Sequence, residues 1–149
     1  MDEGQPQDVA AENARRKALG VKATPGELVL GVDTVVASEG RIWGKPADER
    51  AAREALRALG GKTHEVVSGI ALVRGRRVRE AVAVTQVTFR SLSDDAIARY
   101  VATGEWRERA GGYAIQERGG ALVRRIEGDY LNVVGLPVAT LLDLEPGLV

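Results

Sequence analysis

The chain has 149 residues with 21 basic and 21 acidic side chains, so its formal net charge is zero; it has one histidine and no cysteine. This length is enough for one domain with a hydrophobic core. The balanced charge argues against broad coating of DNA or RNA, because such binding depends on a basic surface. The composition also excludes disulfides, thiolate nucleophiles and metal sites built from cysteine or clustered histidine. Any chemistry must therefore use carboxylates, lysine, arginine, hydroxyls or a hard metal ion.

Hydropathy and the N-terminal composition indicate neither a membrane span nor a secretory signal. No run of about 18 apolar residues is present, which is the length that a transmembrane helix requires. The first six residues are acidic and polar, unlike a signal peptide. We therefore expect a cytoplasmic protein whose partners include neither a membrane nor a nucleic acid polymer.

The spacing of apolar residues predicts eight elements in chain order. Helices are predicted over 8–19, 48–59, 93–101 and from 136 onwards, and strands over 27–37, 63–73, 77–89 and 121–126. In the first helix, Asp8 is the expected N-cap and Gly20 the expected left-handed end. Residues 128–132 are expected to form a polar loop. The order of the elements implies a single α/β domain in which helices flank a mixed, twisted sheet.

Asp33 is the strongest single candidate for a functional residue. It lies among the apolar residues 30–36 of a strand that is expected to be buried. A carboxylate buried there without a partner would cost several kcal/mol. One explanation is a structural carboxylate that is bound by backbone amides or an arginine, and the other is a functional acid. Because Thr34 and Lys45 follow closely in the sequence, we favour the functional explanation.

Lys45 lies between a flexible and a rigid residue, in the tripeptide 44–46. If Glu39 and Gly40 form a two-residue hairpin turn, Lys45 falls opposite Thr34, one residue away from Asp33. A cation beside a buried carboxylate at a strand end indicates a phosphate or metal–phosphate site. A surface lysine in a loop is an equally good explanation.

Three familiar catalytic patterns are absent. Gly61-Lys62-Thr63 resembles the end of a phosphate-binding P-loop, but Leu56 stands where that motif requires glycine, and the tripeptide follows a helix instead of preceding one. No two glycines are spaced two apart, so the dinucleotide-binding fingerprint is also missing. The sequence also has no G-x-S-x-G motif, so His64 has no such serine nucleophile to activate. We therefore interpret His64 as structural, with a supporting role near a site as the alternative.

A glycine-rich segment, 111–120, is the other unusual feature. Its paired glycines indicate close approach of the backbone to another group. Gln116 offers both a donor and an acceptor, which suits the imide edge of a pyrimidine base. A surface glutamine in a glycine-rich crossover is the alternative, and the residues alone leave both open. Asp129 and Asn132 are likewise open between loop closure and ligand binding.

Six segments form a pattern in unbroken order from about residue 2 to the C-terminus. They are N-A-R-R-K-A (13–18), L-G-V-D-T-V-V (30–36), G-K-P (44–46), T-G-E-W (103–106), A-G-G-Y-A-I-Q (110–116) and G-D-Y-L-N-V-V-G-L-P (128–137). Together they resemble the Maf family of nucleoside triphosphate pyrophosphatases. The resemblance implies a house-cleaning hydrolase that converts a nucleoside triphosphate to the monophosphate and pyrophosphate with a divalent metal, Mg²⁺ or Mn²⁺, whose ligands stay unassigned.

The resemblance also implies roles for individual residues. Asp33 falls on the proton acceptor of the family, and Lys17 and Lys45 fall on two lysines that contact the triphosphate. Thr34 and Gln116 fall on the residues that mark the branch preferring dTTP and UTP.

Further expectations follow from the same resemblance. The acidic pair of the family falls on Asp2-Glu3, which makes Glu3 a substrate-binding residue, and the protein is expected to form a homodimer. An inosine-triphosphatase-like enzyme of similar architecture is an alternative, but Thr34 and Gln116 favour a pyrimidine substrate.

The sequence departs from the family pattern at the start and in the glutamine segment. The family opens with a strand and an S-x-S-P-R-R phosphate loop, and neither is present in this sequence. We therefore expect one domain over residues 1–149 that is truncated at its N-terminus, with a weakened phosphate clamp. Gly112, Ala114 and Glu117 differ from the usual A-G-A-Y-G-I-Q-G, and Glu117 adds a negative charge. These departures support a second hypothesis, a catalytically impaired nucleotide-binding or cell-division regulatory protein of the same fold.

Overall fold

The computed structural model describes residues 4–148, which contain five helices and five strands. The helices are α1 (Pro6–Leu19), α2 (Glu49–Leu59), α3 (Asp94–Ala102), α4 (Tyr130–Val134) and α5 (Val138–Leu144), and the strands are β1 (Leu28–Ser38), β2 (Arg41–Trp43), β3 (Thr63–Arg74), β4 (Arg77–Phe89) and β5 (Val123–Glu127). Two 3-10 segments, Ala110–Gly112 and Arg118–Leu122, lie between α3 and β5, and a third, Pro146–Leu148, follows α5. Within the described residues, no helix combines the length and apolar content that a bilayer crossing needs.

The five strands form one sheet in the order β2-β1-β3-β4-β5, which confirms the α/β class with helices against a sheet. The four strand pairings of the described chain are all antiparallel, so the expected mixture of parallel and antiparallel pairs was wrong. The cause is the short strand β2, which reverses the chain direction before the α2 crossover. As a result β3 runs parallel to β2 but pairs with β1 on the opposite side.

The β1–β2 hairpin has the predicted turn. Glu39 and Gly40 both have positive φ angles, 50° and 76°, as a two-residue hairpin turn of type I′ requires. The predicted register is also confirmed, since Val36 pairs with Trp43. Strand β2 ends at Trp43, so Lys45 lies just beyond the paired residues, on a loop beside β1.

Helix α1 packs unusually closely on one face of the sheet. Its buried face consists of Ala10, Ala14 and Ala18. They lie on glycines of two neighbouring strands: a Cβ at Gly31 would stand 2.2 Å from the Ala14 carbonyl oxygen, and one at Gly69 would stand 2.4 Å from that of Ala10. Small residues on both surfaces therefore set the distance between α1 and the sheet.

The ends of α1 differ from the prediction. The helix begins at Pro6 with Gln5 as N-cap, and Asp8 lies in its first turn. Proline is favoured at this position because its fixed φ suits the first helical turn. Gly20 ends the helix in the right-handed region, with φ −78°, and its N–H bonds to the Arg16 carbonyl, so the expected left-handed end was wrong.

The opposite face of the sheet carries the main core and the other helices. Its buried apolar residues come from β1, β3, β4, α2, α3 and the segment between α3 and β5; they include Leu56, Leu59, Val66, Phe89 and Ile97. Burial of this apolar surface is the dominant stabilising contribution to the domain.

The expected polar loop over 128–132 is in part helical. Helix α4 begins at Tyr130, and the Asp129 carboxylate caps it by accepting a hydrogen bond from the Leu131 N–H at 2.8 Å. Five residues span too few turns to produce a recognisable apolar period, so the pattern did not indicate a helix.

Candidate active site

Asp33 lies on the face of the sheet that α1 covers, opposite Gly69 of β3. One carboxylate oxygen, Oδ1, accepts a hydrogen bond from Lys17 Nζ at 2.8 Å, and the other, Oδ2, accepts one from Asn13 Nδ2 at 3.1 Å. The Asp33 side chain is 15% exposed. The carboxylate is thus held by two α1 side chains, whereas the sequence had suggested backbone amides or an arginine as its structural partners.

Asn13 is a site residue that the sequence motifs did not indicate. Asn13 and Lys17 are four residues apart on α1 and therefore share one side of the helix. This spacing was visible in the sequence, but only the packing of α1 on Gly31 and Gly69 places both side chains over Asp33.

Lys17 has a second role at the edge of β1. Its Nζ also donates to the Val32 carbonyl oxygen at 3.1 Å. Within the described residues, β2 pairs only with Val36, Ala37 and Ser38 of β1, so the Val32 carbonyl lies where β1 has no neighbour on that side. The lysine therefore satisfies an edge carbonyl and the Asp33 carboxylate together.

A cleft of about 220 Å³ opens beside this carboxylate. The predicted site residues Lys17, Asp33, Thr34, Lys45 and Gln116 all line it. The sixth, Glu3, lies outside the described residues. Residues that are distant in the sequence, on α1, β1, the loop after β2 and the glycine-rich segment, therefore meet at one concave surface.

Glu108 and Arg109 also line the cleft, and neither was singled out in the sequence. Glu108 has a positive φ of 60°, which is uncommon for a residue other than glycine. Its carboxylate Oε2 lies 3.7 Å from Lys45 Nζ, in an ion pair whose acidic side chain is 86% exposed. Such an exposed pair is worth little, so Lys45 can exchange this partner for a stronger anion.

The two remaining polar residues of the cleft differ in exposure. Thr34 Oγ1 shares a hydrogen bond with Ser68 Oγ at 2.8 Å, and Ser68 is fully buried. Gln116 is an exposed residue on the opposite wall of the cleft, where its amide can reach a ligand. The glycine-rich segment before it turns sharply, with φ angles of 73° at Gly111 and 81° at Gly112. These angles are accessible to glycine at little cost.

His64 lies buried behind the cleft. Its Nε2 is 2.7 Å from the Tyr113 hydroxyl oxygen, and its ring packs edge-on against Phe89 and Tyr113. Burial lowers the pKa of His64 to about 4 and raises the pKa of the Tyr113 hydroxyl. The ring is therefore neutral near neutral pH, in line with the structural interpretation.

Asp129 and Asn132 close the loop around α4. Asp129 caps the helix, as described above. Asn132 is fully buried, and its Nδ2 donates to the Thr85 hydroxyl at 2.9 Å and to the Val66 carbonyl at 3.1 Å. The structure therefore favours loop closure for both residues.

The carboxylates of the cleft fit a metal ion that arrives with a phosphate ligand. In the described part of the chain, no three acidic or histidine side chains converge to form a metal site. Two carboxylates, those of Asp33 and Glu108, line the cleft. Mg²⁺ usually binds through one or two carboxylates together with substrate phosphates and water, so this donor set is sufficient.

The fold and the cleft define an α/β domain equipped to bind a phosphate-bearing anion. The sequence pattern of a known family, described as Maf-like protein, matches residues 1–145. The chain belongs to the Maf family, which confirms the resemblance seen in its motifs.

Individual relatives agree with this assignment. The chain is 47% identical to a dTTP/UTP pyrophosphatase of Pyrococcus furiosus, in an alignment that covers 97% of this chain and 76% of the relative. It is 49% identical to a dTTP/UTP pyrophosphatase of Gloeobacter violaceus, covering 93% and 74% of the two chains. It is 44% identical to one of Escherichia coli O157:H7, covering 96% and 76%.

Proposed function

We propose that this protein hydrolyses UTP and dTTP to the monophosphate and pyrophosphate. The observation that carries the proposal is the convergence of Asp33, Lys17, Lys45 and Gln116 on one cleft. The names of the relatives support the same activity. The alternative of a catalytically impaired binding or regulatory protein is not favoured, because the cleft retains a held carboxylate and several cations. Since nucleoside triphosphates are abundant in the cytoplasm, we also propose a cytoplasmic location.

In the proposed reaction, Asp33 accepts a proton from the attacking water. The water oxygen forms a bond to the α-phosphorus while the bond from that phosphorus to the bridging oxygen breaks. Pyrophosphate leaves with the bridging oxygen and its electron pair. Lys17 and Asn13 fix the orientation of the carboxylate, and a fixed base contributes both proton transfer and positioning.

The triphosphate is held by the cations of the cleft. Lys17, Lys45 and Arg109 line the same surface, and phosphate oxygens form strong charge-assisted hydrogen bonds with such groups. Lys45 gives up its weak pair with Glu108 when the nucleotide binds. Glu108 would hold a divalent metal, Mg²⁺ or Mn²⁺, which when bound neutralises charge on the phosphates.

Thr34 and Gln116 recognise the base. Uracil and thymine present an N–H donor beside carbonyl acceptors, and the Gln116 amide offers the complementary acceptor and donor. Cytosine reverses part of this pattern and leaves a polar group unpaired, which discriminates more strongly than shape alone.

The function is tested by measuring pyrophosphate release from UTP, dTTP, CTP, ATP and GTP with Mg²⁺ present. We expect UTP and dTTP to be hydrolysed with a higher kcat/KM than the other three. Equal rates for all five would contradict the base specificity. Absence of pyrophosphate from every nucleotide would contradict the enzymatic proposal.

We also propose a homodimer, on the evidence of an open sheet edge. Among the described residues, β5 pairs only with the end of β4, from Gln86 onwards. Before Gln86 the outer edge of β4 has no strand neighbour within residues 4–148, and this part of the strand exposes Val78, Val82 and Val84 by 37%, 36% and 37%. An open apolar edge favours association. Light scattering should give twice the monomer mass, and a Val82→Lys variant should give a smaller mass. A monomeric wild type would contradict the proposal.

A further inference from the structure

A buried polar pair, His64 and Tyr113, lies at the wall of the cleft, where Tyr113 is a lining residue and His64 lies behind it. His64 on β3 is 1% exposed and Tyr113 is 6% exposed. Their hydrogen bond, 2.7 Å between Nε2 and the hydroxyl oxygen, joins residues 49 positions apart. Phe89 completes the cluster, with its ring centroid 4.9 Å from that of His64 and 4.7 Å from that of Tyr113.

Tyr113 belongs to the segment that connects two binding elements of the cleft. Gln116 follows three residues later, and the intervening Ala114 N–H donates to the Tyr100 hydroxyl at 2.9 Å. At the other end of the segment, the Gly111 N–H bonds to the Gly44 carbonyl at 3.1 Å, next to Lys45. The position of the Tyr113 ring is therefore coupled to the side chains that face the base and the triphosphate.

The orientation of the His64 ring depends on one hydrogen bond. Within the described residues, Nδ1 of His64 has no partner, so Tyr113 is the one polar group that fixes this ring. The hydrogen bond between Nε2 and the Tyr113 hydroxyl therefore sets the orientation of the imidazole ring.

We propose that His64 and Tyr113 are positioning residues for pyrimidine recognition, whose hydrogen bond fixes the segment that carries Gln116. The inference rests on the proposed function, because it concerns base selection in the same cleft. Neither residue has to touch the reacting atoms, and each acts through the backbone of the segment. Loss of the bond allows this wall to shift, which weakens the match between Gln116 and a uracil base.

The first test is Tyr113→Phe, which removes one hydroxyl and keeps the ring that packs on Phe89. The matched control is Tyr130→Phe, because Tyr130 is 46% exposed and does not line the cleft. We expect the preference for UTP over CTP, as a ratio of kcat/KM values, to fall about tenfold in Tyr113→Phe. The loss should arise mainly from a higher KM for UTP, and the control should keep the wild-type ratio. An unchanged ratio in Tyr113→Phe would overturn the proposal.

The second test separates positioning from stability. The double variant His64→Phe with Tyr113→Phe removes both polar groups, so no buried group is left without its partner, and such paired replacements can be nearly neutral for stability. We expect the double variant to unfold at a temperature close to that of the wild type, with the UTP preference still reduced. Recovery of the preference together with the melting temperature would overturn the proposal, because the pair would then be structural only.

A third measurement uses the fact that His64 is the only histidine of the chain. Its ring nitrogen signals in NMR need no assignment, and we expect them to shift when a non-hydrolysable UTP analogue binds. Signals that do not shift on binding would contradict the proposed coupling. A wild type that hydrolyses no nucleotide overturns the proposed function and this inference together. A wild type with a preference that survives Tyr113→Phe overturns the inference alone.

Discussion

At the scale of single residues, the proposed reaction depends on Asp33 and the two α1 side chains that hold it. A largely buried carboxylate is costly unless its oxygens are paired, and here Lys17 and Asn13 bind one oxygen each. The same contacts leave the carboxylate in a fixed orientation at the cleft. Asp33 can therefore have its buried charge paired and act as a base at the same time.

The first prediction is that Asp33→Asn abolishes most of the turnover and leaves the fold intact. An amide of the same shape cannot accept the proton of the attacking water, so kcat should fall by about 100-fold to 10,000-fold. Pyrophosphate release and the melting temperature are the two measurements. Asp143→Asn, on the exposed surface of α5, is the matched control and should behave as wild type. Unchanged kcat in Asp33→Asn would remove Asp33 from the role of base.

The second prediction concerns the pH dependence of stability. The pKa of His64 is lowered from 6.5 to about 4 by burial, so between these values the unfolded chain binds a proton that the folded chain does not. The stabilisation is complete above pH 6.5 and is lost as the pH falls towards 4. The loss attributable to His64 is on the order of 3 kcal/mol at its limit.

Urea unfolding at about pH 7 and about pH 4.5 measures this difference. The variant His64→Phe with Tyr113→Phe should lose distinctly less stability over the same interval. Equal losses in the wild type and the double variant would show that His64 titrates normally in the folded protein.

At the scale of elements, the site depends on the close packing of α1 against the sheet. Alanines on the helix and glycines on β1 and β3 allow the two backbones to approach closely. Because of this proximity, Lys17 and Asn13 can contact Asp33. The requirement can be tested at Gly69, where a Cβ would lie 2.4 Å from the Ala10 carbonyl oxygen. That neighbour is backbone and cannot rotate away.

The third prediction is therefore that Gly69→Ala destabilises the fold by roughly 1–3 kcal/mol, the range typical of overpacking, and lowers kcat as well. The control is Gly26→Ala, because a Cβ there would meet no atom within 4 Å. Chemical unfolding and the UTP assay measure the two effects. Wild-type stability in Gly69→Ala would mean that α1 can move away from the sheet without loss.

The sequence predicted the long elements well, and the failures have physical causes. The β1–β2 register followed from the turn at Glu39 and Gly40, because a two-residue hairpin fixes the pairing of its strands. Helix α4 was missed since it spans only 5 residues. The mixed sheet was wrong because the pairing of β3 with β1, and not with β2, depends on tertiary contacts that local periodicity does not contain.

Part of the candidate site was also predicted from the sequence, and the rest depends on the tertiary structure. The motifs identified Asp33, Lys17, Lys45, Thr34 and Gln116, and the structure brings all five to one cleft. Asn13 and Glu108 carried no signal of their own. Asn13 lies on an ordinary helix surface until α1 is placed on the sheet, and Glu108 reaches the cleft because of a local backbone turn with positive φ.

At the scale of the whole molecule, the sheet divides the domain into two sides that meet at the cleft. On one side lies α1, whose Lys17 ammonium group and Asn13 amide bind the Asp33 carboxylate. The other presents the core helices and the glycine-rich segment with Gln116. A nucleotide that spans both sides would place its phosphates near the lysines and its base near the glutamine, which is the arrangement that the proposed hydrolysis requires.

The most direct test of this arrangement is UTP hydrolysis in ¹⁸O-labelled water, with the products analysed by mass spectrometry. Attack of water on the α-phosphorus predicts one labelled oxygen in UMP and none in pyrophosphate. Label in pyrophosphate, or release of labelled phosphate together with UDP, would contradict the proposed reaction.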